Sequence, residues 1–409
     1  MAPGEKASPI NTTRDREKEE DCAALLQQHP LGVLTEEFGA YSTVFVRRQL
    51  EALAPLSPFV ACWVRSNASV FDFEPVHIIR SKRFVDRVRA KLFGFLPKRF
   101  GHHERVLAEP SLRRLLQSYK PRHLLIHFGW SAVRVLQVLE AERLSFSLFL
   151  HGSDLNEAYA HPRHPYARRL RRAASLAHRC FVVSKDLANK CKAIGVPESQ
   201  VEVFYLGVPV PEDIATPRPE RNGGRILANG RLIEWKGHRV LLEALARLAQ
   251  AGLRPRLSLI GEGELMPKLQ AQAQSLGIEK QVEFCGHRSN SEVYKLLLSS
   301  DIFAHPSLRL PTGEEEGLGL AVQEAMAAGL PVVGTKTGGI PDSILDGETG
   351  FLVAPDNADA MANRLAQLLK DGSLCRRLGS AARTRVEKHF NLEHRNALLL
   401  AQMQKLVGE

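Results

Sequence analysis

Short apolar runs alternate with longer segments of helical periodicity along the chain, a pattern typical of a parallel sheet covered by helices. In the first half the pattern predicts one helix over residues 43–54, with Ser42 as its N-cap. Further helical segments separate the strands there. Strands are predicted in this half at 31–34, 58–64, 124–128, 147–150, 180–184 and 201–205.

The same alternation returns after residue 224 and predicts a second sheet of the same kind. Strands are predicted there at 225–229, 256–260, 282–285, 302–304, 331–334 and 351–353, and helices at 238–251, 265–276, 291–299, 320–328 and 358–370. The fold class predicted is α/β, with two Rossmann-like domains facing across a cleft. Open sheets of this kind bind ligands at the carboxyl ends of their strands.

A segment rich in proline, glycine and charge separates the two halves and is predicted to be an interdomain linker. We therefore predict a first domain over residues 29–208, the linker over 209–224 and a second domain over 225–390. Residues 1–28 are predicted to form a disordered tail, because they are polar and charged. The segment 391–409 is predicted to form a helix that packs back across the cleft.

Composition excludes several classes of protein. The 409 residues are 44% hydrophobic and 24% charged, which is ordinary for a globular chain. None of the six cysteines forms a C-x-x-C pair, so neither a zinc ribbon nor a disulfide framework is indicated. The first 20 residues lack the apolar stretch of a signal peptide, and no run approaches the ~18 apolar residues of a membrane helix. A cytoplasmic location is expected.

The net charge of +10 is concentrated in the first half of the chain. Between Arg80 and Arg122 there are thirteen Lys or Arg and three acids, and Arg163, Arg168, Arg169, Arg171 and Arg172 form a second cluster. One interpretation is that these are solvated helix faces. The other is attraction to an anionic membrane surface on the inner side of the membrane, or to a phosphate-bearing acceptor. Few aromatic residues lie among the cations, so nucleic acid is not favoured as a partner.

The segment 305–329 has the clearest chemical pattern. Glu316 precedes a Gly-x-Gly turn that opens a helix, and the free amides near Leu318, Gly319 and Leu320 would form an anion site there. Glu324 follows eight residues after Glu316, which is about 12 Å along a helix. The two carboxylates are thus placed to reach groups on either side of a bound diphosphate. An ordinary solvated helix start within a run of glutamates is the alternative.

Two glycine-containing loops follow strands in the second half. Arg231 and Lys236 lie in one of them, where they are either phosphate ligands or ordinary surface cations. In the other, Gly261 and Gly263 permit close approach of a ligand to the backbone. The sequence has no D-x-D and no His or Cys cluster with ligand spacing, so we expect neither a metal nor a cofactor. Arg231, Lys236 and the helix N-terminus would instead neutralise a diphosphate leaving group.

These segments together resemble the donor-binding signature of the retaining group 1 (family 4) glycosyltransferases, which have the GT-B fold. The resemblance extends over about 150 residues and is carried by Gly230–Gly237, 261–264, Pro306-Ser307, 316–324, 332–335, 338–341 and 346–353.

The first half resembles the family more loosely. His151-Gly-Ser-Asp154, His127-Phe-Gly129 and the segment 41–47 are similar to bacterial exopolysaccharide transferases, such as those for colanic acid. Two positions depart from the pattern. The segment 38–42 replaces a glycine pair that many relatives carry, and Leu318 stands where many have Phe.

Positional resemblance implies a role for each candidate residue. Arg231 and Lys236 would bind the donor diphosphate, Glu316 the donor sugar and Glu324 the ribose hydroxyls. His151 would contact the sugar near the reacting carbon, and Asp154 would orient His151 or the acceptor. Further donor-binding positions are Gly230, Gly261, Gly263, Gly317, Leu318, Gly319 and Leu320.

The resemblance implies retaining transfer of a hexose from a UDP- or GDP-linked sugar to a glycan or lipid-linked acceptor, in exopolysaccharide or cell-surface polysaccharide biosynthesis. On that basis 29–208 is the acceptor-side domain and 225–390 the donor domain. The mechanism implied is front-face substitution, in which the departing phosphate takes the acceptor proton. The alternatives are a GT-B sugar-phosphate synthase, a nucleotide-sugar epimerase, and a catalytically silent nucleotide-sugar-binding protein.

Overall fold

A computed structural model describes residues 29–40, 43–68, 71–79, 109–212 and 224–408. Several features predicted from the sequence lie outside these residues. They are the tail over 1–28, the N-cap Ser42, the basic stretch 80–108 and most of the predicted linker.

The first sheet has seven strands in the order β3-β2-β1-β4-β5-β6-β7. The pairs β2/β3, β1/β2, β1/β4 and β6/β7 are parallel. The strands are β1 (Leu31–Phe38), β2 (Phe59–Arg65), β3 (Val76–Ile78), β4 (His123–His127), β5 (Phe146–Leu150), β6 (Arg179–Val182) and β7 (Val201–Val203). The helices are α1 (Val44–Ala52), α2 (Glu109–Tyr119), α3 (Gly129–Glu142), α4 (Ser153–Ala160), α5 (Pro165–Leu176) and α6 (Lys185–Ala193). The strand β3 was not predicted, because its three residues at the sheet edge carry no apolar run.

The second sheet has six strands in the order β10-β9-β8-β11-β12-β13, and all five pairs are parallel. The strands are β8 (Arg225–Asn229), β9 (Arg256–Ile260), β10 (Val282–Gly286), β11 (Ile302–His305), β12 (Val332–Thr335) and β13 (Gly350–Val353). The helices are α7 (His238–Gln250), α8 (Met266–Ser275), α9 (Asn290–Ser299), α10 (Leu320–Ala327), α11 (Ile340–Ser343), α12 (Ala358–Lys370), α13 (Gly372–His389) and α14 (Leu392–Gly408). Each strand predicted in this half is present.

The chain divides into two compact units, Met1–Ser147 with Leu399–Glu409, and Leu148–Leu398. The division falls inside β5. The domain boundaries expected from the sequence stay predictions.

Burial explains why two neighbouring strands of the second sheet, β11 and β12, are mostly apolar. Every residue of β11 and β12 is buried, as expected for a parallel sheet that carries helices on both faces. Helix α7 contributes Leu241, Leu245 and Leu248 to the core cluster, and Leu365 of α12 belongs to the same cluster. The predicted α/β architecture of two parallel sheets is therefore confirmed.

Aromatic rings pack against one another beside β2 and β3 in the first unit. The ring of Phe59 stacks on Tyr119 at 4.5 Å between centroids, and His77 Nε2 lies 2.8 Å from the Tyr119 hydroxyl. Arg122 donates a hydrogen bond of 2.8 Å to the carbonyl of Val407, near the end of α14. Helix α14 lies within the segment 391–409, and the predicted packing of that segment across a cleft stays a prediction.

Candidate functional site

Two loops that leave neighbouring strands of the second sheet run against each other. The amide of Leu232 donates a hydrogen bond of 2.8 Å to the Glu262 carbonyl. Gly261 has φ +134°, and a Cβ there would lie 2.0 Å from the carbonyl oxygen of Gly230. A Cβ on Gly263 would lie 2.4 Å from the Leu232 carbonyl oxygen. Gly261 and Gly263 thus let the carboxyl ends of β8 and β9 carry closely packed backbone, whereas a Cβ on Gly230 would only lie 3.5 Å from Lys236 Cδ.

The two predicted phosphate ligands lie on the first of these loops, near one indole ring. The Lys236 ammonium lies 4.3 Å from the centroid of Trp235, and the Arg231 guanidinium lies 5.9 Å from it. A short 3-10 helix, Glu234–Lys236, positions Lys236, while Arg231 is exposed. The ring therefore keeps two cations at one edge of the sheet.

Glu316 is the centre of a buried polar cluster. Its Oε2 lies 2.6 Å from Lys236 Nζ and 3.0 Å from His305 Nε2. The Ser307 hydroxyl donates to the same oxygen at 3.5 Å and lies 3.1 Å from His305 Nε2. We call Lys236, His305, Ser307 and Glu316 the Glu316 cluster. It brings together residues from the loop after β8, the end of β11 and the loop before α10.

Electrostatics keep Glu316 ionised, although it is only 9% exposed. Burial by itself raises the pKa of Glu316, but Lys236 and His305 outweigh burial and hold that pKa well below its usual range. Burial lowers the pKa of His305, against the opposing influence of Glu316. The cluster therefore holds a carboxylate beside an ammonium at ordinary pH.

The structure separates the three consecutive glutamates by their surroundings. Glu314 is exposed and accepts a hydrogen bond from Thr312. Glu315 is buried and accepts from Lys190 and, at 2.7 Å, from Arg309. Glu316 alone of the three belongs to the cluster with Lys236. The site role of Glu316, chosen from its spacing to Glu324, stays a prediction.

His151 and Asp154 lie just after β5, as the sequence indicated. The imidazole of His151 stacks on Phe149 at 4.8 Å between ring centroids. The fully buried Asp154 Oδ1 accepts from the backbone amides of His151 at 3.2 Å, Gly152 at 2.9 Å and Leu155 at 3.0 Å. Asp154 thus fixes the backbone that carries His151.

The His151-Gly152 turn packs directly against the Gly-x-Gly turn of the second sheet. A Cβ on Gly317 would lie 2.2 Å from the His151 carbonyl oxygen, and a Cβ on Gly152 would lie 3.0 Å from the Gly317 Cα. Likewise, a Cβ on Gly339 would lie 2.3 Å from the Gly317 carbonyl oxygen. The turns that follow β5 of the first sheet and β11 and β12 of the second sheet therefore meet at Gly317.

Helix α10 begins where the sequence placed an anion site. Gly319, at φ +83°, is the N-cap of the helix, Leu320 is its first residue, and Gly329, at φ +74°, follows its end. The Leu318 side chain is buried, and Glu324 lies half-buried within the helix. The roles assigned to Glu324, and to the amides of residues 317–320, stay predictions.

The sequence reasoning missed two members of the cluster, His305 and Ser307, as site residues in their own right. His305 is the last residue of β11, so its position at the carboxyl end of a strand was a usable signal. A third residue, His238, is buried beside them, and burial followed by Lys236 and His305 lowers its pKa to about 3. His305 and Ser307 thus bond to Glu316, and His238 is buried close to Lys236 and His305.

The arginine cluster of residues 163–172 lies largely at the surface. Arg163, Arg168, Arg171 and Arg172 are exposed on or beside α5, whose buried face carries Tyr166 and Leu170. In the described ranges no group of three or more His, Cys, Asp or Glu is placed to hold a metal ion. No helix in the part of the chain that the structure describes combines the length and apolar character of a membrane span.

Comparison with known proteins gives matches over most of the chain. The model of Glycosyltransferase Family 4 matches residues 43–211, and that of Glycosyl transferases group 1 matches residues 211–385. The chain is 28% identical over 317 residues to WcaL of Salmonella typhimurium, a protein named for colanic acid biosynthesis, covering 75% of this chain and 77% of WcaL. It is 30% identical over 275 residues to the amylovoran biosynthesis glycosyltransferase AmsK of Erwinia amylovora, covering 65% of this chain and 66% of AmsK.

Two solved structures share the fold at low sequence identity. Anabaena HepE in complex with UDP aligns with a TM-score of 0.74 and 18% identity, over 92% of this chain and 99% of HepE. Sucrose-phosphate synthase from Thermosynechococcus elongatus aligns with a TM-score of 0.71 and 17% identity, over 93% of this chain and 99% of that one. These likenesses confirm the expected GT-B architecture of two Rossmann-like domains.

Proposed function

Since the chain belongs to the group 1 (family 4) glycosyltransferases, we propose that it transfers a hexose, with retention, from a nucleotide-diphosphate sugar to a glycan or lipid-linked acceptor. The observation that carries this proposal is the Glu316 cluster beside the His151-Gly152 turn. The Glu316 carboxylate, the Lys236 ammonium and the turn that carries His151 meet at the carboxyl ends of parallel strands. This is where α/β sheets bind ligands.

The donor diphosphate is assigned to Arg231, Lys236 and the start of α10. Arg231 is exposed and Lys236 lies near it over the same indole ring, so two cations face one edge of the sheet. Amides at a helix N-terminus favour phosphate oxygens. UDP or GDP would serve as carrier, since HepE was solved with UDP and another relative is named as GDP-mannose-dependent.

The donor sugar is assigned to Glu316. Its bonds to Lys236, His305 and Ser307 all use Oε2, and no bond described for this carboxylate uses Oε1. An ionised oxygen accepts strongly from a hydroxyl group. Glu316 would therefore hold a sugar hydroxyl through Oε1, while Glu324 would bind the ribose hydroxyls from within α10.

The proposed reaction is a front-face substitution without an enzyme nucleophile or a metal ion. The bond between the anomeric carbon and the phosphate oxygen breaks, and the acceptor oxygen forms its bond on the same face. The acceptor proton passes to the departing phosphate oxygen. Arg231 and Lys236 would stabilise the charge that develops on that leaving group, and His151 would contact the sugar near the reacting carbon.

The names of relatives suggest the biological setting. WcaL and AmsK are named for the biosynthesis of colanic acid and amylovoran, two polysaccharides. We propose that this chain also builds an exopolysaccharide or cell-surface polysaccharide. It would act in the cytoplasm, with the basic first half attracting it to the inner face of the membrane.

A donor screen followed by product analysis tests the proposal. The chain is mixed with UDP-, GDP- and ADP-hexoses, and the ligand that raises its melting temperature is then offered with lipid-linked or glycan acceptors. The anomeric proton coupling of the product reports stereochemistry, and addition of EDTA reports metal dependence. Inversion, or loss of transfer with EDTA, would contradict the mechanism. Transfer to a free sugar phosphate would favour a sugar-phosphate synthase. Formation of an epimerised nucleotide sugar from the donor would favour an epimerase. Binding without turnover would favour a silent binding protein.

A further inference from the structure

A solvent-open groove lies on the second unit, at α13 and the loop that enters β13. Its volume is about 690 Å³. Six lining residues of α13 fall in two rows with a spacing of four, Arg376, Ser380 and Thr384 in one and Arg377, Ala381 and Arg385 in the other. Residues spaced by four lie on one face of a helix, so the groove is built on a single face of α13.

The groove has a strong excess of positive charge. Arg376, Arg377, Arg385, Lys388 and His389 line it, and among its lining residues in the described chain the one acid is Glu348. Partial burial, followed by Arg385, Lys388 and Arg395, lowers the pKa of His389. Protonation of this histidine is thus opposed by neighbouring cations. A multivalent anion would relieve their mutual repulsion.

One cation in the groove is held in place by the backbone. Arg385 Nε donates to the Ser343 carbonyl at 2.8 Å, and its Nη2 donates to the Asp342 carbonyl at 2.6 Å. The hydroxyls of Thr349, Ser380 and Thr384 also line the groove and add polar groups that bind phosphate oxygens. The groove therefore combines one fixed guanidinium with adjustable cations and hydroxyls.

The groove is separate from the donor site. Leu345, Glu348 and Thr349 lie just before β13, at the amino end of that strand. The Glu316 cluster and the His151-Gly152 turn lie at carboxyl ends of strands. In a parallel sheet the amino ends and the carboxyl ends of the strands lie on opposite sides of the sheet. None of the residues that line the groove has a role in the transfer reaction proposed above.

We propose that this groove is a second anion site, which binds a phosphate group through Arg377, Arg385 and Lys388. Arginine offers paired donors that match phosphate oxygens, and lysine adds a point charge. The phosphate is supplied either by a free phosphate or diphosphate, or by the headgroup of an anionic lipid.

Hydrogen–deuterium exchange with inorganic pyrophosphate tests the site, read on peptides covering 345–350 and 372–389. Pyrophosphate should slow exchange there in the wild type. Arg377→Gln/Lys388→Gln should weaken this protection about tenfold or more in apparent affinity, because two charge-assisted contacts are lost. Both side chains are exposed, so the fold should persist. The matched control Arg254→Gln/Lys280→Gln removes one exposed arginine and one exposed lysine outside the groove and should protect like the wild type.

The outcomes show whether the groove binds phosphate, which molecule supplies that phosphate, and whether the donor site is involved. The proposal would be overturned if neither pyrophosphate nor phosphatidylglycerol vesicles protected the wild type, or if the Arg377→Gln/Lys388→Gln variant were protected equally. A second arm uses phosphatidylglycerol vesicles against phosphatidylcholine vesicles. Protection by phosphatidylglycerol assigns the phosphate to a lipid headgroup, and protection by pyrophosphate alone assigns it to a free anion. Peptides covering 316–324 report donor binding independently.

Discussion

The Lys236 ammonium lies 2.6 Å from the Glu316 carboxylate, although 80 positions separate the two residues in the chain. The side chains are 13% and 11% exposed, so water screens this pair only weakly. The pair joins the loop after β8 to the loop before α10. In the proposed reaction, one partner would bind the leaving group and the other the sugar.

Replacing Glu316 by Gln should lower transfer by about 100-fold or more, because a preorganised charged contact to the donor is lost. The adjacent exposed Glu314 provides a matched control, and Glu314→Gln should transfer at the wild-type rate. Initial rates with the identified donor measure both variants, and circular dichroism checks that each is folded. Undiminished transfer by folded Glu316→Gln would remove Glu316 from the site.

Replacing Gly317 by Ala should disturb the junction of the two turns. The new Cβ would lie 2.2 Å from the His151 carbonyl oxygen, so one of the turns must shift. Overpacking of this kind costs about 1–3 kcal/mol. Gly408→Ala, where nothing lies within 4 Å of the new Cβ, is the control. Thermal unfolding and transfer rate are measured together. If Gly317→Ala had the same melting temperature and transfer rate as Gly408→Ala, the close packing of Gly317 against the His151 carbonyl would be contradicted.

Replacing Lys190 by Met should destabilise the second unit. Lys190 is buried and donates to Glu315 and, at 2.8 Å, to Asn156, so its loss leaves a buried carboxylate with less compensation. Breaking such a pair costs about 3–5 kcal/mol. Because Lys190→Met/Glu315→Met removes both charges, its free energy of unfolding should fall by less than the sum of the single changes. Urea unfolding of the four proteins completes the cycle, and strict additivity would argue against coupling.

Acid should destabilise the protein partly through His238. Burial lowers the pKa of His238 from 6.5 to about 3, so the unfolded chain binds its proton first as the pH falls. The stability contributed by the neutral ring is present above the unfolded pKa and is lost as the pH falls toward the folded one, at up to about 1.4 kcal/mol per pH unit. Urea unfolding between neutral pH and pH 4 measures how the free energy of unfolding changes with pH. This pH dependence should be weaker for His238→Gln than for the wild type. An identical pH dependence of the unfolding free energy in the two proteins would show that the His238 ring does not titrate in this way.

Local sequence patterns determined the strands of the second sheet and the fold class. A strand buried on both faces is a mostly apolar run, and a helix on its surface carries one apolar stripe, so both leave a pattern in the sequence. The candidate site residues were selected in the same way, because a glycine turn after a strand and before a helix is a local signal. The short edge strand β3 left no such signal and was missed.

Only the tertiary structure decided how the candidate residues are partnered. Three neighbouring glutamates are chemically equal in the sequence, and packing alone separates exposed Glu314, structural Glu315 and Glu316 beside Lys236. In the same way, Asp154 accepts from backbone amides, and His305 supports Glu316. The physical reason is that a charge acquires its role from the groups within a few ångströms of it. Those groups come from strands far apart in the chain.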